Sequence, residues 1–185
     1  MSIPAPSRLR LAPYLAEALL LTLGWLPADL SGQFQGEPDL TSVDEVIEAL
    51  YGSISGAAGE PRQWDLFHTL LHPTAARLIS MGLDSQGEAV HRVMSPDEFV
   101  AAPDGLFLAN GFFERELGFH QERFGNMVHR FSAYDSKRTL ADSEPFSRGI
   151  NSIQLLWSEG RWWAVTILWD RERPGNLIPA ELAGR

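Results

Sequence analysis

The sequence contains no cysteine and only one lysine. The absence of cysteine excludes disulfide bonds, thiolate metal sites and cysteine nucleophiles. Schiff-base chemistry has a single candidate, Lys137, which lies between Ser136 and Arg138 in a predicted surface loop. No apolar run approaches the roughly 18 residues that a membrane span needs, so we predict no membrane-spanning helix.

Basic residues are also scarce. Fifteen Lys and Arg face 24 Asp and Glu, which gives a net charge of −9. No basic cluster is present, and phosphate contacts need clustered Lys and Arg, so we expect neither a nucleic acid nor an anionic lipid surface as a partner. A length of 185 residues with 44% apolar and 21% charged residues is typical of one globular domain.

Residues 1–40 differ from the rest and form a predicted N-terminal extension. Arg8 and Arg10 precede the apolar stretch 18–26, which has the length and flanking charge of a signal-peptide core. Glu17 at its border and the lack of a small-residue cleavage site favour a packing helix instead. The protein is therefore predicted to be cytoplasmic, or exported if residues 1–32 are a signal peptide. Gly and Pro residues in 31–39 indicate a linker.

Two capping boxes mark helix starts. Ser42 with Glu45 precedes an amphipathic stripe that runs to Ile54, and Ser95 with Glu98 precedes a further helix. Between them a short helix is predicted over 62–71 and two extended segments over 76–81 and 89–94. Another turn of helix is predicted over 106–110.

The last third of the sequence predicts an antiparallel meander. Its strands are expected over 114–124, 127–134, 148–157 and 161–169, with Gly-containing turns at 125–126 and 158–160. Helices followed by long antiparallel strands predict an α+β fold in which the helices cover one sheet face.

This order resembles the nuclear transport factor 2-like superfamily, in its SnoaL-like branch. The resemblance covers residues 41–172, leaves 173–185 as a tail, and rests on Trp64-Asp65, the hairpin Glu159-Gly-Arg-Trp162, and segments 113–116, 123–126 and 148–153. These segments look like those of small bacterial members without an assigned activity. The resemblance implies a strongly curved antiparallel sheet wrapped around the N-terminal helices, forming a cone-shaped barrel with an internal pocket.

Period-two alternation sorts the strand residues into two faces. The sets expected to face the helices are Met127, His129, Phe131 and Ala133; Asn151, Ile153, Leu155 and Trp157; and Trp163, Val165, Ile167 and Trp169. The last set depends on a strand that is apolar on both faces, a pattern that also fits a central strand or a subunit contact.

His129 and Asn151 are polar residues on inward faces that are otherwise apolar, so each needs a partner or a ligand. His129 is a candidate general base or hydrogen-bond donor, and Asn151 a candidate for orienting a substrate carbonyl. The alternative is a buried His–Asn pair. Tyr51 either reaches the same pocket or is a core aromatic residue. Asp65 either favours the helix dipole or, as in some enzymes of the superfamily, pairs with a strand histidine.

The pocket is therefore expected to contain Tyr51, Trp64, Phe119, His129, Asn151 and Trp169 as ligand-binding residues, with His129, Asp65 and Tyr51 as catalytic candidates. We predict no metal and no cofactor. His68 and His72 have a chelating spacing but lack the His-Glu-x-x-His glutamate, and neither a phosphate loop nor a Gly-x-Ser-x-Gly elbow is present.

Three functions remain open. The first is a small cofactor-free pocket domain that binds a small organic molecule. The second is an isomerase, dehydratase or hydrolase in which His129 works with Asp65 or Tyr51. The third is a dimeric assembly or accessory domain. The apolar content of both faces of 161–169 predicts a homodimer through the outer sheet face.

Overall fold

The computed structural model describes Met1 and residues 32–184. In this part of the chain, two helices precede a hairpin, two short helices follow it, and four long strands complete the domain. The helices are α1 (Val43–Ile54), α2 (Trp64–Leu70), α3 (Pro96–Ala101) and α4 (Asp104–Asn110). The strands are β1 (Arg77–Leu83), β2 (Ala89–Met94), β3 (Phe113–Phe124), β4 (Met127–Lys137), β5 (Ser147–Ser158) and β6 (Arg161–Arg171).

Both predicted serine caps start a helix. At α3 the capping box is complete, because Ser95 Oγ accepts a hydrogen bond from the Glu98 amide and the Glu98 carboxylate accepts one from the Ser95 amide. At α1 only half of it forms. Ser42 Oγ accepts from the Glu45 amide at 3.3 Å, but the Glu45 carboxylate accepts from the amide of Asp39 at 2.7 Å. Glu45 thus binds the segment that precedes α1 to the first turn of the helix.

The six strands form one mixed sheet in the order β2-β1-β6-β5-β4-β3. Each neighbouring pair is antiparallel except β1 and β6, which are parallel. The predicted α+β class, with a curved sheet around helices, is confirmed. The sheet does not close into a barrel, and the parallel pair departs from the antiparallel prediction, because β1 joins the meander beside its last strand.

The helices pack on one face of the sheet, here the inner face. Its buried core combines α1 and α2 with strands β4 to β6, and it includes Val46, Ile47, Leu50, Phe67, Leu70, Ile153, Leu155 and Trp162. Asn151, Ile153 and Leu155 are buried on this face, as predicted for β5. The period-two alternation along β5 is therefore enough to predict which of its residues face the helices.

The face assignment of β4 is wrong. Val128, Arg130, Ser132 and Tyr134 lie on the inner face, and His129 lies on the outer face with Phe131. Arg130 can occupy the inner face because its guanidinium is partnered there. It donates to Glu116 Oε1 at 2.9 Å, to Asp44 Oδ1 at 2.5 Å and to Gln121 Oε1 at 3.1 Å.

The more apolar set of β4 faces outward because the C-terminal segment, residues 173–184, covers it. Ile178 and Leu182 of this segment form a second buried cluster with Ala133, and Phe131 packs against that cluster. The tail therefore packs on the chain's own sheet and turns part of the outer face into a core.

A β-bulge divides β6. Thr166 pairs with Gln154 and Ala164 pairs with Leu155, which leaves Val165 as the extra residue. Trp162 and Ala164 face the core before the bulge, and Ile167 and Trp169 face it afterwards. The inward prediction is therefore correct for Ile167 and Trp169 but wrong for Trp163 and Val165.

Residues 33–40, predicted as part of a linker, pack on the domain. The Gln63 side chain accepts from the Phe34 amide at 3.1 Å and donates to its carbonyl at 2.9 Å, and Phe34 packs against the core. The apolar stretch 18–26, with the export alternative, lies outside the described residues. Within the described part, no helix has the length and apolar character to cross a membrane.

Candidate functional site

A cavity of about 550 Å³ lies between the helices and the inner face. Most of its wall is apolar and aromatic, and includes Phe67, Phe99, Phe107, Phe112, Ile153 and Trp169. Ile153 is almost fully buried, whereas Leu106 of α4, another lining residue, is 56% exposed. The cavity therefore extends from the core to the protein surface.

A hydrogen-bonded cluster forms the polar wall of the cavity. Its centre is Glu114, the second residue of β3. Ser136 Oγ donates to Glu114 Oε2 at 2.8 Å, and Asn151 Nδ2 donates to Glu114 Oε1 at 3.3 Å. Asn151 Nδ2 also donates to the Tyr51 hydroxyl at 3.0 Å. Three strands and α1 thus supply one polar group each.

The hydrogen bonds of Tyr51 have a fixed direction. Ser132 Oγ donates its single proton to Glu116 Oε1 at 2.6 Å. The Tyr51 hydroxyl, 2.6 Å from Ser132 Oγ, is therefore the donor in that contact and the acceptor from Asn151. The protons of Tyr51, Ser132 and Ser136 are all engaged within the protein.

The local environment changes the acidity of Glu114. Burial of its carboxyl group raises the pKa of Glu114 to about 7, while the hydrogen bonds from Ser136 and Asn151 act in the opposite direction. Burial, with the charge of Glu114 nearby, also raises the pKa of Tyr51 and of Tyr134, so both phenols stay protonated. Near neutral pH, Glu114 exchanges between a neutral acid and a carboxylate.

The hydrogen bonds around Glu114 leave it able to donate to a molecule in the cavity. Both oxygens of Glu114 receive hydrogen bonds from the protein, so the proton of the neutral form is available to an acceptor in the cavity. Two guanidinium groups, Arg138 and Arg171, also line the cavity. A bound molecule would meet apolar walls together with a small set of donors, as in most ligand sites.

Comparisons with known proteins address the fold. No family sequence model matches the chain, and no match was found among curated proteins. The chain is similar in structure to a protein from Thiobacillus denitrificans described as a candidate calcium/calmodulin-dependent protein kinase type II association domain. The identity is 13%, the alignment covers 74% of this chain and 100% of that one, and the TM-score is 0.54.

Two further solved structures match at lower TM-scores. One is a nuclear transport factor 2-like protein of unknown function from Silicibacter pomeroyi, with 14% identity, coverage of 70% and 92%, and a TM-score of 0.45. The other is a candidate scytalone dehydratase from Novosphingobium aromaticivorans, with 8% identity, coverage of 60% and 72%, and a TM-score of 0.43.

The structural neighbours include nuclear transport factor 2-like proteins, in agreement with the resemblance of the sequence. At these identities the similarity concerns the fold alone. The more specific SnoaL-like placement stays a prediction.

Three of the six predicted ligand-binding residues line the cavity, namely Tyr51, Asn151 and Trp169. The other three do not. Trp64 donates its indole N–H to Asp104 at 2.7 Å and packs edge-on against Phe67. Phe119, which is 45% exposed, lies under the Arg130 guanidinium at 3.4 Å.

His129 and Asp65, two of the three catalytic candidates, are also outside the cavity wall. His129 faces the other side of the sheet, where Nε2 lies 2.9 Å from Ser152 Oγ. The predicted pairing of His129 with Asn151 is wrong, because the two side chains lie on opposite faces. Asp65 is in the first turn of α2, where its negative charge interacts favourably with the positive end of the helix dipole.

The paired histidines have separate partners. His68 Nε2 lies 3.6 Å from Asp97 Oδ1, and His72 Nδ1 accepts from the amides of Thr74 and Ala75. Nowhere in residues 32–184 do three His, Asp or Glu side chains come together as metal ligands would.

Sequence reasoning missed Glu114, Ser136, Arg138 and Arg171. The available signal was the spacing of Glu114 and Glu116, two acids on one face of a strand, separated by Arg115, which binds Asp135 on the other face. The cluster itself depends on strand pairing, in which Glu114 lies opposite Ser136 and Ser136 lies opposite Ser147.

Proposed function

We propose that this cavity binds a small organic molecule with an apolar body and a hydrogen-bond acceptor directed at Glu114. One observation carries the proposal: a cavity of about 550 Å³, lined by aromatic side chains, has a single carboxyl group in its wall whose two oxygens are already positioned by Ser136 and Asn151. An apolar site with a few positioned polar groups is the usual design of a ligand pocket.

The distribution of hydrogen-bond donors favours binding over catalysis. An enzyme that stabilises a developing oxyanion needs donors directed at empty space. Here Tyr51 donates to Ser132, and Ser136 and Asn151 donate to Glu114. Among the uncharged groups of this polar cluster, only the neutral form of Glu114 therefore has a proton left to donate to a reacting group.

Proton transfer by Glu114 is the second candidate function, and its raised pKa supports it. A carboxyl group with a pKa of about 7 can accept or release a proton at neutral pH. In this version Glu114 replaces His129 and Asp65 as the acid–base group of the isomerase alternative. Proton exchange at the carbon next to the carbonyl of a cyclic ketone, measured in deuterated water, would test it, with Glu114→Gln as the inactive variant.

Binding can be tested with N-phenylnaphthylamine, a neutral aromatic probe whose fluorescence rises in apolar surroundings. We expect saturable binding to the full chain. Ile54→Trp places a larger ring in the cavity wall and should abolish binding, because Ile54 is a half-buried lining residue. The matched control is Phe124→Trp, a change at an aromatic residue that is 79% exposed and outside the cavity. Equal binding by both variants would overturn the proposal.

A further inference from the structure

The charged residues in the cavity wall are unevenly balanced. They are Glu114, Arg138 and Arg171. Burial keeps Glu114 largely neutral below neutral pH. The wall then carries two positive charges and no negative charge, in a chain whose net charge is −9. The two arginines are expected either to pair with groups of the protein or to bind a ligand.

Contacts within the protein account for only part of the hydrogen-bonding capacity of Arg138 and Arg171. Within residues 32–184, neither guanidinium has a carboxylate within salt-bridge distance. Arg138 donates to the Gly111 carbonyl at 3.2 Å and stacks on Phe146 at 3.9 Å, which leaves most of its N–H groups unused. The described residues provide no side-chain hydrogen bond for the Arg171 guanidinium.

Acidic residues close to Arg171 in sequence have other partners. Asp170 binds Arg173 at 2.7 Å, and Glu172 binds Arg148 at 3.2 Å. Both acids are therefore engaged in ion pairs instead of neutralising Arg171. The register places Arg171 beside Gly149 of β5, close to the polar cluster, and its charge acts on Glu114.

We propose that the ligand of this cavity is an organic anion, whose carboxylate or other oxyacid group binds Arg171 and Arg138 while its apolar body occupies the aromatic part of the cavity. This inference rests on the proposed binding function. A guanidinium presents paired N–H groups that match the two oxygens of a carboxylate or a sulfonate. The neutral form of Glu114 supplies a third donor to the same anion.

Two probes that differ in one group test the inference. Anilinonaphthalene sulfonate is N-phenylnaphthylamine with an added sulfonate, so a comparison of their dissociation constants isolates recognition of the anion. Titrations of the full chain would be made below the pKa of Glu114. We expect Arg171→Gln and Arg138→Gln each to weaken binding of the sulfonate about tenfold, the loss of one charged hydrogen bond. Binding of the neutral probe should not change.

Further variants control for charge and for folding. Arg123→Gln removes an exposed guanidinium outside the cavity wall, which contacts the Gly125 carbonyl and the Trp162 ring, and it should leave both dissociation constants unchanged. Arg171→Lys keeps the charge without the paired donors and should give an intermediate affinity for the sulfonate.

The two proposals fail in different ways. If both probes bind in the cavity and the arginine variants affect them equally, the anion inference is wrong and the binding function stands. If neither probe binds, or if Ile54→Trp does not displace them, the binding function itself is wrong.

Discussion

Asn151 on β5 donates a hydrogen bond of 3.0 Å to the hydroxyl of Tyr51 on α1, a residue 100 positions earlier in the chain. The contact joins the helix layer to the sheet in the wall of the cavity. Asn151 also donates to Glu114, and Tyr51 donates to Ser132, which in turn donates to Glu116, so this pair links the two half-buried acids of β3.

Removal of either partner should therefore cost stability. We expect Tyr51→Phe and Asn151→Leu each to lower the free energy of unfolding by about 1–3 kcal/mol, since the remaining partner loses a buried hydrogen bond. The double variant should cost about 1 kcal/mol less than the sum, because both changes remove the same contact. Denaturant titrations of the three variants would measure this, and strictly additive costs would contradict the coupling.

The contribution of Glu114 to the stability of the protein should fall as the pH rises from 4.5 to about 7. In this interval native Glu114, with a pKa of about 7, holds a proton that the unfolded chain, with the ordinary pKa of 4.5, has released. Tyr51, Tyr134, Asp135 and Arg171 are the titratable or charged groups that act on it.

Glu114→Gln removes this titration. Relative to the wild type, the variant should gain stability across the same interval, by roughly 3 kcal/mol in total. Chemical unfolding of both proteins at several pH values would show it. A stability difference that does not change with pH would mean that Glu114 titrates normally.

The two adjacent tryptophans of β6 should differ in their effect on stability. Trp162 is 1% exposed and packs edge-on against Trp157, so Trp162→Ala should cost about 3–5 kcal/mol. Trp163 is half-buried and stacks with Arg161 at 3.8 Å, so Trp163→Ala should cost clearly less. Thermal unfolding of the two variants provides the comparison, and equal shifts in Tm would argue against the bulged register of β6.

His129 should have no part in ligand binding. His129→Ala removes a contact with Ser152 on the outer face, and we expect a cost of about 1 kcal/mol or less and unchanged binding of N-phenylnaphthylamine. Asn151→Ala, in the cavity wall, should weaken that binding. Loss of probe binding in His129→Ala would contradict the assignment of the two faces.

We propose a homodimer through the part of the outer face that the C-terminal segment leaves uncovered. Leu83 and Val93, which face outward on β1 and β2, are 47% and 52% exposed. Light scattering at micromolar concentration should give the mass of a dimer, and Val93→Arg should give a monomer. A monomeric wild type would rule the proposal out.

The success of the sequence predictions depended on the range of the interactions involved. Ser95 and Glu98 satisfy each other within one helical turn, so their capping box was visible in the sequence. The alternation in β5 predicts the inward position of Asn151 correctly. Both neighbours of β5, the strands β4 and β6, are adjacent to it in sequence as well as in the sheet. The fold class could be predicted from such local patterns and from their order.

The errors arose where a distant segment changes the meaning of a local pattern. Phe131 and Ala133 suggested an inward face, but residues 173–184 cover them from outside. Val165 shifts the alternation of β6 by one residue, and nothing in the composition of that strand indicates where the extra residue lies. Glu114 becomes a site residue only once pairing brings it to Ser136 and folding brings both to Asn151.

The parallel pairing of β1 with β6 has a consequence for the order of assembly. β1 and β2 form a local hairpin, yet β1 joins the sheet only beside the last strand of the chain. During synthesis from the N-terminus, the hairpin must wait for residues 161–171 before it can join the rest of the sheet, and pairings this distant in sequence fold slowly. We expect a chain shortened to end before β6 to be degraded rapidly by proteases, whereas the full chain resists them.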